Sequence, residues 1–118
     1  MGKIYTIKQN GLFSRVYNKG VNIVGKNIAV YALKCKSGAR TKIGITINRK
    51  LGGAVERNRA KRLIREAYRT LSLSNPELFA NAYLFVFVAR ARCLNKKTKM
   101  QYVRRDMEYA MRKLCEKQ

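Results

Sequence analysis

The sequence contains no histidine and no tryptophan, a single proline and only six acidic residues among 118. Each scarcity removes a class of function. Without histidine, the usual general base near neutral pH and the commonest metal ligand are both missing. Asp106 is the only aspartate, and Glu56, Glu66, Glu77, Glu108 and Glu116 are scattered, mostly beside Lys or Arg. A protein-borne hydrolytic site is hard to build from that set. Three cysteines, Cys35, Cys93 and Cys115, are too few and odd in number for a disulfide framework, and their spacing fits no zinc pattern. They read as reduced thiols of a cytoplasmic protein. No apolar run approaches membrane-spanning length, and the first residues carry no secretory h-region, so no membrane association is expected.

What is abundant is positive charge. Lys and Arg number 27, for a net charge of +21. Such an imbalance costs self-repulsion in the folded state, and nucleic acid is the polyanion that best relieves it. A hydrophobic fraction of 47% argues for a folded chain, and the length for one domain, 1–118.

The segment from Gly52 to Leu71 organises the rest. From Ala54 on it has no Gly or Pro and is rich in strong helix formers. On a helical wheel Ala60, Leu63, Ile64, Ala67, Tyr68 and Leu71 share one face, and Asn58, Lys61, Arg62, Arg65 and Arg69 another. One face suits a protein core and the other suits phosphate. The preceding Asn48-Arg49-Lys50-Leu51-Gly52-Gly53 could present backbone N–H groups at a helix N-terminus, a favourable place for phosphate, although the ending of a nucleotide P-loop is missing.

Ahead of this lies a basic leader, residues 1–9, with Ile4 and Ile7. A short helix follows, capped by Asn10, with Leu12, Phe13, Val16 and Tyr17 at helical spacing and Gly20 at its end. Asn27 to Lys36 alternates as a strand, with Ile28, Val30 and Ala32 opposite Ala29, Tyr31 and Leu33. After a turn at 36–40, Ile43, Ile45 and Ile47 mark a second strand, expected to pair with the first as an antiparallel hairpin. Gly44 leaves room there for a close approach to the sheet. Residues 72–81, with Pro76, read as a loop. Ala82 to Ala89 is apolar on both faces and reads as an interior strand. A basic connector with Arg90, Arg92, Lys96, Lys97 and Lys99 leads to a last helix, its core seam formed by Met100, Val103, Met107, Ala110, Met111 and Leu114. The order predicts a small mixed sheet with helices packed on it.

At Arg57-Asn58-Arg59-Ala60-Lys61-Arg62-Leu63-Ile64-Arg65-Glu66 the sequence resembles the protein subunit of bacterial ribonuclease P. The prelude of Arg49, Lys50, Gly52, Ala54 and Val55 fits the same pattern, as do the size, the charge and the order of elements. The resemblance implies an α+β sandwich of about four strands and three helices, with a left-handed βαβ crossover through the central helix. It implies a ribonucleoprotein that removes the 5′ leader from precursor tRNA, in which the RNA performs Mg²⁺-dependent hydrolysis and the protein alone is non-catalytic. By the same resemblance Arg49, Lys50, Arg57, Asn58, Arg59, Lys61, Arg62, Arg65 and Arg69 contact the catalytic RNA. Phe13, Tyr17 and Tyr31 line a cleft for the single-stranded leader. The implied partners are that RNA and precursor tRNA, with no obligate protein partner. A structural RNA-binding protein of ribosomal type is the alternative, since basicity alone does not separate the two. A protein-only nuclease would need acids clustered in space, which the sequence does not show.

Overall fold

The structure, a computed structural model, describes residues 5–35, 40–79 and 82–116. The start of the basic leader, including Lys3 and Ile4, most of the turn at 36–40, the end of the 72–81 loop and the Cys115 side chain lie outside the described residues.

Helix α1 (Asn10–Lys19) is followed by strands β1 (Val21–Val24), β2 (Ile28–Lys34) and β3 (Lys42–Ile47), helix α2 (Ala54–Ser74), strand β4 (Tyr83–Ala89) and helix α3 (Met100–Glu116). Short 3₁₀ turns at Arg49–Leu51, Pro76–Phe79 and Ala91–Leu94 join them. The four strands lie in the order β1-β2-β4-β3, with β2 antiparallel and β3 parallel to β4. The result is the mixed sheet with three helices expected from the sequence.

The hairpin expected between β2 and β3 does not form, because β4 lies between them. The reason is in β4 itself. Tyr83, Phe85 and Phe87 point to one side and Val86 to the other, all buried. A strand apolar on both faces needs a neighbour on each edge and a cover on each side, and the central slot supplies all four. The 3.6-residue spacing placed the core face of α2 correctly: Ala60, Ile64, Ala67, Tyr68 and Leu71 are buried. The helix continues three residues beyond Leu71 to Ser74, where Pro76 ends it. Strand β1 was missed; at four residues with Val21 and Val24 exposed, it has little hydrophobic pattern to find. The N-cap of α1 is Gln9 rather than Asn10, and it makes no side-chain cap bond.

Two cores result. One sheet face packs against α2 and α3 around Phe85, Phe87, Ile64, Met107 and Met111. The other carries α1 around Val16, Val86 and Ile7. Burying such side chains contributes about 1.5–3 kcal/mol each. The leader is not loose where it is described. Thr6 bridges to Ile43, Ile7 N–H donates to the Ile43 carbonyl (2.8 Å) and Ile43 N–H to the Tyr5 carbonyl (2.9 Å), so residues 5–7 extend the sheet beyond β3. At the far end of α1, a Cβ on Gly20 would stand 2.5 Å from the Val16 carbonyl oxygen and 2.6 Å from that of Ala32. Only glycine lets the chain turn there from α1 into β1 against β2.

Candidate nucleic-acid interface

Helix α2 carries its cations on the side away from the core. Asn58, Lys61, Arg62, Arg65, Glu66 and Arg69 line one shallow depression of about 340 Å³. All but Glu66 are the residues that the helical wheel placed together. Glu66, the only acid among them, accepts from Arg69 Nη1 at 3.0 Å, which neutralises one cation, while Lys61, Arg62 and Arg65 form no ion pair among the described residues. Arg49 and Lys50 sit on the exposed 3₁₀ turn ahead of α2, where Asn48 Oδ1 accepts from Lys50 N–H at 2.9 Å.

Arg57 and Arg59 are engaged elsewhere. Arg57 Nε donates to the Gly53 carbonyl at 3.3 Å. Arg59 donates to three backbone carbonyls of the loop before α3: Asn95 (3.0 Å), Lys96 (3.0 Å) and Thr98 (2.7 Å). Its planar fork of donors suits that multiple attachment. The family resemblance, not the helical wheel, placed Arg59 among the RNA contacts; its carbonyl partners lie 36 to 39 residues away in sequence.

At the start of α2, where a phosphate position is expected, one N–H is bonded within the chain. Glu56 Oε1 accepts from Gly53 N–H at 2.9 Å, so the anion at this N-terminus is the chain's own carboxylate. Gly53 has no side chain to complete a reciprocal capping box, so only this half of the motif exists.

Phe13, Tyr17 and Tyr31 meet on the face of the sheet that α1 covers. The Phe13 ring lies over Gly44, and the Tyr17 and Tyr31 rings meet edge to face with centroids 4.9 Å apart. Tyr17 Oη donates to Thr46 Oγ1 at 3.2 Å. In register across the sheet, Tyr31, Val86 and Gly44 form one row, so the three aromatics span β2 to β3. Tyr17 remains 38% exposed, enough to offer a ring to a ligand. Beside Phe13 and Gly44 a recess of about 220 Å³ is also lined by Lys61 and Arg65 of α2. The recess at Phe13, at one end of the aromatic group, and the basic depression therefore share two cations, while Tyr17 and Tyr31 lie outside that recess.

Among the described residues, no three His, Cys, Asp or Glu side chains gather as a metal site, and no helix is long and apolar enough to cross a membrane. Cys35 and Cys93 are free thiols. Burial pushes the Cys93 thiol up to about 11, against the lowering effect of Arg59.

Known proteins share this chain's sequence pattern and fold. Residues 1–115 match the family described as Ribonuclease P. The chain is 38% identical over 87 residues to the ribonuclease P protein component of Listeria innocua, covering 73% of this chain and 71% of that protein. With the protein component of Clostridioides difficile it shares 39% identity over 84 residues, 71% of this chain and 70% of the relative. The RNase P protein of Staphylococcus aureus superposes with a TM-score of 0.75 at 28% identity, over 95% of this chain and 96% of that one. The RNase P protein of Thermotoga maritima shares the fold, with a TM-score of 0.73 at 21% identity over 91% and 96% of the two chains. The family match decides between the two expected readings, against the ribosomal-type alternative. This chain belongs to the ribonuclease P protein family, the protein components of a ribonucleoprotein endoribonuclease.

Proposed function

We propose that this chain binds the catalytic RNA of ribonuclease P through the outer face of α2 and takes the unpaired 5′ leader of precursor tRNA into the aromatic cleft. Lys61, Arg62 and Arg65 provide the principal phosphate contacts, with Asn58, Arg69, Arg49 and Lys50 around them. Phe13, Tyr17 and Tyr31 offer faces and edges to leader bases. The observation that supports this reading is that Lys61 and Arg65 line both depressions. A strand leaving the RNA-bound face would pass Lys61 and Arg65 to reach the Phe13 end of the cleft. Arg57 and Arg59 shape the site, through Gly53 and the 95–98 loop, rather than supplying free cations.

The interface does not suit a resident Mg²⁺. Its acid, Glu66, is bonded to Arg69, and among the described residues no three His, Cys, Asp or Glu side chains gather there to hold a cation. The catalytic Mg²⁺ is assigned to the RNA subunit, and the protein supplies binding and orientation in the cytoplasm. Replacing Lys61, Arg62 and Arg65 together by Ala tests the reading. The folded variant should assemble more weakly with the catalytic RNA, and the slope of log affinity against log salt should flatten by up to about one unit per lost phosphate contact. Unchanged affinity and slope in a folded variant would refute it.

A further inference from the structure

A cavity of about 680 Å³ lies on neither of these surfaces. It lies between the β1–β2 turn, the Arg90–Thr98 connector and the outer side of α3, and shares no lining residue with the recesses at α2. Five cations line it, Lys26, Arg90, Arg92, Lys97 and Arg105, against one acid, Asp106. Two exposed tyrosines stand on its α3 wall, Tyr102 at 43% and Tyr109 at 55% exposure. They are seven residues apart, two helical turns or about 10 Å along one face. Neither is needed for the core seam, which runs through Val103, Met107, Ala110 and Met111.

The frame of this cavity is built. The two buried polar residues among those described, Asn27 and Thr98, both belong to its wall. Asp106 Oδ2 accepts from Asn27 N–H (2.6 Å) and from Asn27 Nδ2 (3.1 Å), fixing the β1–β2 turn to α3. Arg90 Nη1 donates to the Gly25 carbonyl at 2.7 Å. Thr98 Oγ1 donates to the Arg92 carbonyl, and Arg59 holds the same loop from the α2 side. The acid is thus spent on structure, while Lys26, Arg92, Lys97 and Arg105 remain exposed around the opening.

We infer that this cavity is a second RNA site, which takes an unpaired RNA segment with bases stacked on Tyr102 and Tyr109 and phosphates among Arg92, Lys97 and Arg105. Cations beside exposed aromatic rings on a rigid wall are what sequence-tolerant binding of single strands requires, and Lys113 Nζ already lies 5.6 Å from the Tyr109 ring centroid. A duplex keeps its base faces stacked internally and cannot use the rings. The site is independent of the α2 surface, so the two can fail separately.

Lysine acylation followed by mass spectrometry reads this site directly, with hexauridylate as the probe on the full chain. Hexauridylate should protect Lys26 and Lys97. Tyr102→Leu with Tyr109→Leu should raise the concentration for half-protection about tenfold or more. Both rings are exposed, and circular dichroism checks that the variant folds. Tyr17→Leu, in the other cleft, should leave this protection unchanged. In the assembled holoenzyme, protection by the catalytic RNA alone identifies that RNA as the source, and protection only after precursor tRNA is added identifies the substrate. The inference is overturned if hexaglutamate protects these lysines as well as hexauridylate does, if the tyrosine changes leave the midpoint where it was, or if neither RNA protects them in the holoenzyme.

Discussion

The Phe13 ring occupies the space where a side chain on Gly44 would stand. A Cβ at Gly44 would come within 2.5 Å of Phe13 Cε1 and 2.6 Å of Cζ. The absent side chain is therefore what lets α1 sit down on β3. Gly44→Ala should displace the ring and cost about 1–3 kcal/mol, the usual penalty for overpacking. Denaturant unfolding of Gly44→Ala, Phe13→Ala and the double variant checks this. The double variant should lose less than the sum of the singles, since removing the ring removes the clash. Strict additivity would show that the two residues do not interact.

The aromatic cleft should discriminate precursor from mature tRNA. Tyr17→Ala and Tyr31→Ala remove rings that meet at 4.9 Å. Each should weaken holoenzyme binding to precursor tRNA by an amount on the order of 1–3 kcal/mol per lost stack. Mature tRNA, which has no leader, should bind nearly as before. Equal losses for both substrates would assign these tyrosines to packing or to general RNA contact.

Arg59 should behave as a structural residue. Arg59→Ala removes donors to three backbone carbonyls, and the expected cost is about 1–3 kcal/mol. Amide exchange over residues 95–98 should accelerate. The salt dependence of RNA binding should change less than in Lys61→Ala. A variant with full stability and a flattened salt slope would return Arg59 to the RNA-facing group.

Alkaline pH should destabilise the fold. Burial pushes Cys93 from 9.0 to about 11 and Tyr68 from 10.0 to about 12. The folded state holds these protons where the unfolded chain has released them. The contribution is complete below pH 9 and is lost as pH rises through 9–11 for Cys93 and 10–12 for Tyr68. Urea midpoints measured from pH 8 to 11 should fall more steeply for the natural chain than for Cys93→Ala with Tyr68→Phe. Parallel curves would show that neither group carries the effect.

Local periodicity determined the helices and the faces of the strands. The core side of α2, the cation stripe and the two-sided apolar character of β4 follow from residues within one or two turns of each other, where side-chain direction is set by backbone geometry. The excess of cations likewise pointed to nucleic acid, the lack of histidine away from a protein-borne catalytic site, and the segment from Arg57 to Glu66 to the family. The partners were decided only by the tertiary structure. Placing β4 between β2 and β3 depends on satisfying both faces of one strand at once, a condition set across the whole sheet. Glu56 closing on Gly53 occupies one of the N–H groups that the glycines alone suggested for an anion. Arg59 and Lys61, two residues apart on one helix, have different fates because α2 turns by about 200° between them. That rotation carries Arg59 to the 95–98 loop and leaves Lys61 in the groove beside Phe13.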